Sequence, residues 1–273
     1  MEQTQTQGWN MRRAASALQM GILMCGVLLG IACKTPTPER TDIGVFIDFT
    51  EVEERGGETL LDREGSLNQI IAEIVIPEMN DRRVLNGGSV TFYPINSHGL
   101  LRPGQRVELD VGDPNENKMI RKNAVSEFYA EVHDAYESLL QEEQSISVDT
   151  EEEYSATYIV QPVCQYLASL REPVGPDHRR YVLLYTDFLE HSSVYSFYQD
   201  ARRANEVIDD RADVADTLLS ACEAVDSLRQ VAYRWLPHPL PKSTDGRMQH
   251  YAQQVWSRVF ETLGLNEDHR FAS

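Results

Sequence analysis

Ile43-Gly44-Val45-Phe46-Ile47-Asp48 and Tyr181-Val182-Leu183-Leu184-Tyr185-Thr186-Asp187 are the two stretches that decide the fold of this chain. Each is a continuous apolar run without alternation, the pattern of a strand buried on both faces. Each stops at an acid. Around them, helical spacing of Leu67, Ile70, Ile71, Ile74 and Val75 predicts an amphipathic helix over Gly65 to Met79. Val90 to Ile95, after Asn86-Gly87-Gly88 read as a turn, gives a second strand, and Arg106 to Val111 an edge strand.

Further along, Asn117 to Gln144 reads as a long helix closed by an acidic turn from Glu142 to Glu153. Ile159, Val163, Leu167 and Leu170 mark another helix, ended by Pro173 and Gly175. A charged helix fills Ala201 to Leu228, Val231 to Leu236 is expected to be the last strand, and Met248 to Leu263 the closing helix. Strands alternating with helices predict an α/β three-layer sandwich, with a mostly parallel central sheet and helices on both faces.

The whole chain has 273 residues, 41% of them hydrophobic, which suffices for a sizeable core. Its formal net charge of −18 argues against nucleic acid as a partner, because phosphate backbones are met with Lys and Arg. The four cysteines, Cys25, Cys33, Cys164 and Cys222, have neither CxxC nor zinc-finger spacing. Cys164 and Cys222 fall in helix-like segments and read as buried apolar fillers rather than as a disulfide.

Met11-Arg12-Arg13 is followed by an uncharged run from Ala14 to Ala32, then Cys33 and a polar stretch with Pro36 and Pro38. A basic start and an apolar run before small residues mark an export signal. Leu28-Leu29-Gly30-Ile31-Ala32-Cys33 resembles a bacterial lipobox, with Gly30 as a departure; the resemblance implies cleavage before Cys33 and a lipid on its sulfur. Residues 1–32 are then the signal, 33–41 a tether, and 42–273 one domain held to a membrane outside the cytoplasm. An uncleaved membrane anchor, since nineteen apolar residues could just span a bilayer, and an ordinary signal peptide are the alternatives.

In open α/β sheets, ligands bind beyond the carboxyl ends of the strands, where Asp48 and Asp187 are expected. Two carboxylates at one strand edge repel unless a cation or proton separates them. With the hydroxyls of Thr50 and Thr186 they form a hard-oxygen donor set suited to Mg²⁺, Mn²⁺ or Ca²⁺. The plainer roles are helix caps and bonds to loop amides, and for Thr157 a helix N-cap.

At these residues the chain resembles the von Willebrand factor A family. Asp48-Phe49-Thr50 matches the first two positions of that family's metal-ion-dependent adhesion site, whereas Val52 stands where a second hydroxyl is usual. Ser155-Ala156-Thr157 looks like the middle element, and Thr186-Asp187 like the last. The resemblance covers about residues 42 to 265. It implies a binding domain in which Asp48, Thr50, Thr157 and Asp187 hold a divalent cation, directly or through water, while Glu51 or Glu190 adjusts the charge. A carboxylate from a partner protein would complete the ion's shell. Asp48-x-Thr50 also resembles the aspartyl-phosphate loop of haloacid dehalogenase-type phosphatases, but Val52 and the lysine-free stretch from Asn123 to Pro241 argue against that chemistry. A metal-assisted phosphoester hydrolase and a scaffold with a vestigial site are the rival expectations. His191, beside Glu190, reads as a solvated loop residue.

Overall fold

The computed structural model describes residues 40–49, 86–96, 101–113, 116–149, 157–170, 172, 174–175, 177–197, 211–222, 228, 231–236 and 246–267. The chain divides into two units, Met1–Thr37 and Pro38–Ser273, and every described residue belongs to the second. The helix expected over Gly65 to Met79, the lipobox with Cys33, and Thr50, Val52 and Ser155 lie outside the described residues.

Six strands form one sheet: β1 (Arg40–Asp48), β2 (Gly87–Ile95), β3 (Arg106–Leu109), β4 (His178–Tyr185), β5 (Val231–Leu236) and β6 (Asn266–Glu267). Their spatial order is β3-β2-β1-β4-β5-β6, parallel throughout except for the antiparallel edge strand β3. Both apolar runs of the sequence are central. β1 lies between β2, in register from Arg40↔Gly87 to Asp48↔Ile95, and β4, in register from Arg40↔His178 to Ile47↔Tyr185. Strands with neighbours on both edges and helices on both faces are apolar at successive positions, which is why these runs do not alternate.

Alternate residues feed two cores. Ile43, Val45, Ile47, Leu183 and Tyr185 meet Phe128, Val132, Ala135 and Leu139 of α1 (Lys118–Asp149). Phe46, Val182 and Leu184 face the other core, where α2 (Val160–Ser169), α3 (Arg211–Ser220) and α4 (Gly246–Thr262) supply Val163, Leu167, Leu218, Trp256 and Phe260. The result is three layers, as expected from the alternating pattern. Each large side chain so buried is worth about 1.5–3 kcal/mol by area. Gly44 has a specific use: a Cβ there would lie 2.6 Å from Cζ of Tyr166, whose ring rests on the strand.

Several expectations need correction. Gly87 and Gly88 are strand residues, paired with Arg40 and Thr41. The absent side chain at Gly87 admits the backbone of β3, since a Cβ would stand 2.6 Å from the Leu109 carbonyl oxygen. The turn expected from Glu142 does not break α1, which continues to Asp149; the Glu, Gln and Ser of that stretch lack the hard helix-stopping force of Pro or Gly. α3 ends at Ser220 in a turn through Ala221 and Cys222, short of the expected Leu228. β5 is followed by β6, two residues too short to leave a periodic signal. Cys164 and Cys222 form a disulfide, with Cα atoms 5.1 Å apart across a separation of 58 residues. α2 and the end of α3 pack on the same face, and that proximity is tertiary, so no local pattern reports it.

Candidate functional site

In the strand order, β2 lies on one side of β1 and β5 on the far side of β4. The carboxyl ends of β1 and β4 are therefore the topological switch point, the place where sheets of this kind bind ligands. Asp48 closes β1, and the β4 register continues with Thr186 beside it. The Thr186 hydroxyl donates to Asp48 Oδ2 at 2.8 Å and accepts from the Phe188 amide at 3.1 Å. Asp187 Oδ1 accepts from the Leu189 amide at 2.8 Å, the loop-amide role named above as its plainer alternative. Asp48 and Asp187 are 2% and 3% exposed, so both acids sit beneath the surface.

Phe188 makes the turn with φ of 68°, a left-handed conformation that costs a non-glycine residue on the order of 1–2 kcal/mol. Packing offsets this. The Trp256 indole N–H donates to the Phe188 carbonyl at 3.1 Å, and the Phe188 ring meets Trp235 edge-on at 4.4 Å between centroids. The closing helix and β5 thus brace the loop that carries Asp187.

Glu190 ends the same loop and is wholly buried. Its Oε2 accepts from the amides of Ile159 at 2.7 Å and Val160 at 3.0 Å, the first turn of α2. A helix N-terminus presents unsatisfied N–H groups and partial positive charge, so an acid is favoured there. Burial nevertheless pushes the Glu190 carboxyl up to about 7, against the opposing pull of the Ser192 hydroxyl and the two amides, with Asp48 raising it further. Oε1 has no hydrogen-bond partner among the described residues.

Thr157 is not the N-cap of α2; that position is Ile159, which has no capping side chain of its own, and Glu190 serves instead from across the sheet edge. Thr157 exchanges backbone hydrogen bonds with His191, both at 2.9 Å, which ties it to the Asp187 loop. His191 is half-buried rather than solvated, with Nδ1 2.6 Å from the Ser196 hydroxyl. The fold therefore gathers Asp48, Asp187 and Thr157, with Thr186 and Glu190, at one sheet edge.

Three further residues at this edge had no local signal. Asn96, just past β2, donates to Glu143 Oε2 of α1 at 3.3 Å and accepts at its carbonyl from the Tyr158 amide at 3.2 Å. Arg102 pairs with the buried Glu143. These contacts join residues 41 to 62 positions apart, which sequence spacing does not reveal.

A second group, His133, Asp134 and Glu137, has side-chain donor atoms within 4.8 Å of one another on α1. It is a surface array, with His133 Nδ1 3.7 Å from Glu137 Oε1, and it lies in the middle of the helix rather than at the strand ends. No protein-family profile and no curated protein sequence matches this chain.

Proposed function

We propose that this chain is a membrane-tethered envelope lipoprotein whose von Willebrand factor A-like domain binds a partner protein through a divalent cation. The observation that carries the reading is the meeting of Asp48 with Thr186-Asp187 at the switch point, with Thr186 bonded to Asp48 at 2.8 Å. The gathered donors are carboxylate and hydroxyl oxygens, hard ligands that fit Mg²⁺, Mn²⁺ or Ca²⁺ and suit softer metals poorly. Asp48, Thr157 and Asp187, with Thr50 from the segment after β1, would hold the ion directly or through water. The bound ion would supply a Lewis-acidic position for a partner's carboxylate. Glu190 holds the first turn of α2, and Trp256 holds the loop. With both acids 2–3% exposed, the Thr186–His191 loop must part to admit ion and partner.

The lipobox-like Cys33 supports the tether. The Cys164–Cys222 disulfide supports an oxidising compartment, because such bonds persist outside the cytoplasm. A hydrolase reading lacks its base: Glu190 has the raised proton affinity such a base needs, but its side chain is enclosed and one oxygen holds two amides. A scaffold with a vestigial site is the second reading, favoured by the local bonds that already engage one oxygen each of Asp48 and Asp187.

Thermal unfolding of the detergent-solubilised full chain, with and without millimolar Mg²⁺, Mn²⁺ or Ca²⁺, tests the proposal. Saturation at 100 times the dissociation constant stabilises the folded state by about 2.7 kcal/mol. The rise should vanish in Asp48→Ala and Asp187→Ala. No rise in the wild type, with both variants still folded, favours the scaffold.

A further inference from the structure

At the opposite edge of the sheet, where β2 starts and β3 ends, a groove of about 610 Å³ runs between β3 and the first turns of α1. Glu108, Asp110, Asp113, Glu116, Glu127 and Glu131 line it. Arg121 is the one base among its lining residues, and its terminal nitrogens are used on the carbonyl oxygens of Asn86 and Asp110. Burial also pulls the Arg121 guanidinium below its ordinary proton affinity, while Glu116 and Asp110 pull the other way. The side chain is 8% exposed, and its buried Nε has no hydrogen-bond partner among the described residues.

A second, independent feature begins at the groove's rim. Three large apolar side chains are exposed among the described residues, Val111 at 39%, Met119 at 63% and Ile120 at 58%. Val111 lines the groove, and Ile120 stands one turn before Ala124 on the helical row that continues to Glu127 and Glu131. Apolar side chains left in water beside one concave surface mark an interaction site more often than a solvated face. Six carboxylates around it select the sign of the visitor.

We infer that this groove docks a Lys- or Arg-bearing amphipathic segment of a second protein. Its apolar residues cover Val111 and Ile120, and its cations meet Glu127 and Glu131. The surface is separate from the proposed cation site, and its occupant is basic where that site's partner is acidic.

The test uses the full chain and a labelled amphipathic peptide of lysine and leucine, followed by fluorescence anisotropy at physiological salt. A glutamate-for-lysine version and a serine-for-leucine version serve as controls. Charge reversal at Glu127→Lys with Glu131→Lys should weaken binding by at least about tenfold. The same charge change at Asp216→Lys with Glu261→Lys, exposed on α3 and α4, should leave it within about twofold. Ile120→Ser, which alters no charge, should weaken it several-fold, and the serine peptide should bind correspondingly less. Circular dichroism checks that each variant is folded. Equal weakening by both charge reversals, indifference to Ile120→Ser, or displacement of the peptide by self-association of the chain through this groove would each overturn the inference.

Discussion

Replacing Glu190 with Gln should change how stability responds to pH, and the direction follows from burial. The Glu190 carboxyl is raised from 4.5 to about 7 in the folded chain. Between those values the unfolded chain has released the proton that the folded chain keeps, so stability falls as pH rises. The contribution is fully present below about 4.5 and lost through about 7. At 1.36 kcal/mol per unit, the full loss is about 3 kcal/mol, most of it between pH 5 and pH 8. A glutamine side chain at this position cannot ionise, yet its carbonyl can still accept from Ile159 and Val160. Urea unfolding of both proteins at pH 5 and pH 8 isolates this residue, because other titrating groups contribute alike. The stability of wild type relative to Glu190→Gln should drop by about 2–3 kcal/mol from pH 5 to pH 8. An unchanged difference, or a rise, would refute the burial argument.

Gly44→Ala forces a Cβ to 2.6 Å from the Tyr166 ring, which is wedged 4.9 Å from Tyr93 and 5.5 Å from Phe46 between centroids. The cost should be roughly 1–3 kcal/mol by denaturant titration, and none would mean that the ring yields freely. Reducing Cys164–Cys222 releases a loop of 58 residues and should cost about 4 kcal/mol by chain entropy, read as a fall in Tm under reductant. Burial tends to raise the Asp42 carboxyl, but the Ser89 hydroxyl, His178 and Arg40 together hold it below 3.8. Its stabilising contribution is present above 3.8 and lost as pH falls, so Asp42→Asn should flatten the acid limb of a stability–pH curve.

What the sequence made legible follows from how local each signal is. The runs ending at Asp48 and Tyr185 announce central strands because burial on both faces leaves no alternation to confuse with helix. Arg106 and Glu108 announce an edge, because charges on alternate positions need solvent on one face. That Thr186 comes beside Asp48 follows from the parallel pairing of two apolar runs that end at the same level. Glu190 was readable as an acid near the site, but not as the cap of α2, since its partners lie 30 and 31 positions earlier. The same distance hid the Cys164–Cys222 bond and the Asn96–Glu143 contact. Ile159 at the N-cap misleads a propensity argument, because a loop from another strand replaces the expected capping hydroxyl at Thr157.

The central claim is that the strand-end acids hold one divalent ion. Electron paramagnetic resonance during Mn²⁺ titration of the full chain counts bound ions directly. One saturable site per chain is expected, displaced by Mg²⁺, abolished in Asp187→Asn and retained in His133→Ala. Absence of bound Mn²⁺ in the folded wild type, or a site lost with His133 and kept without Asp187, would contradict it.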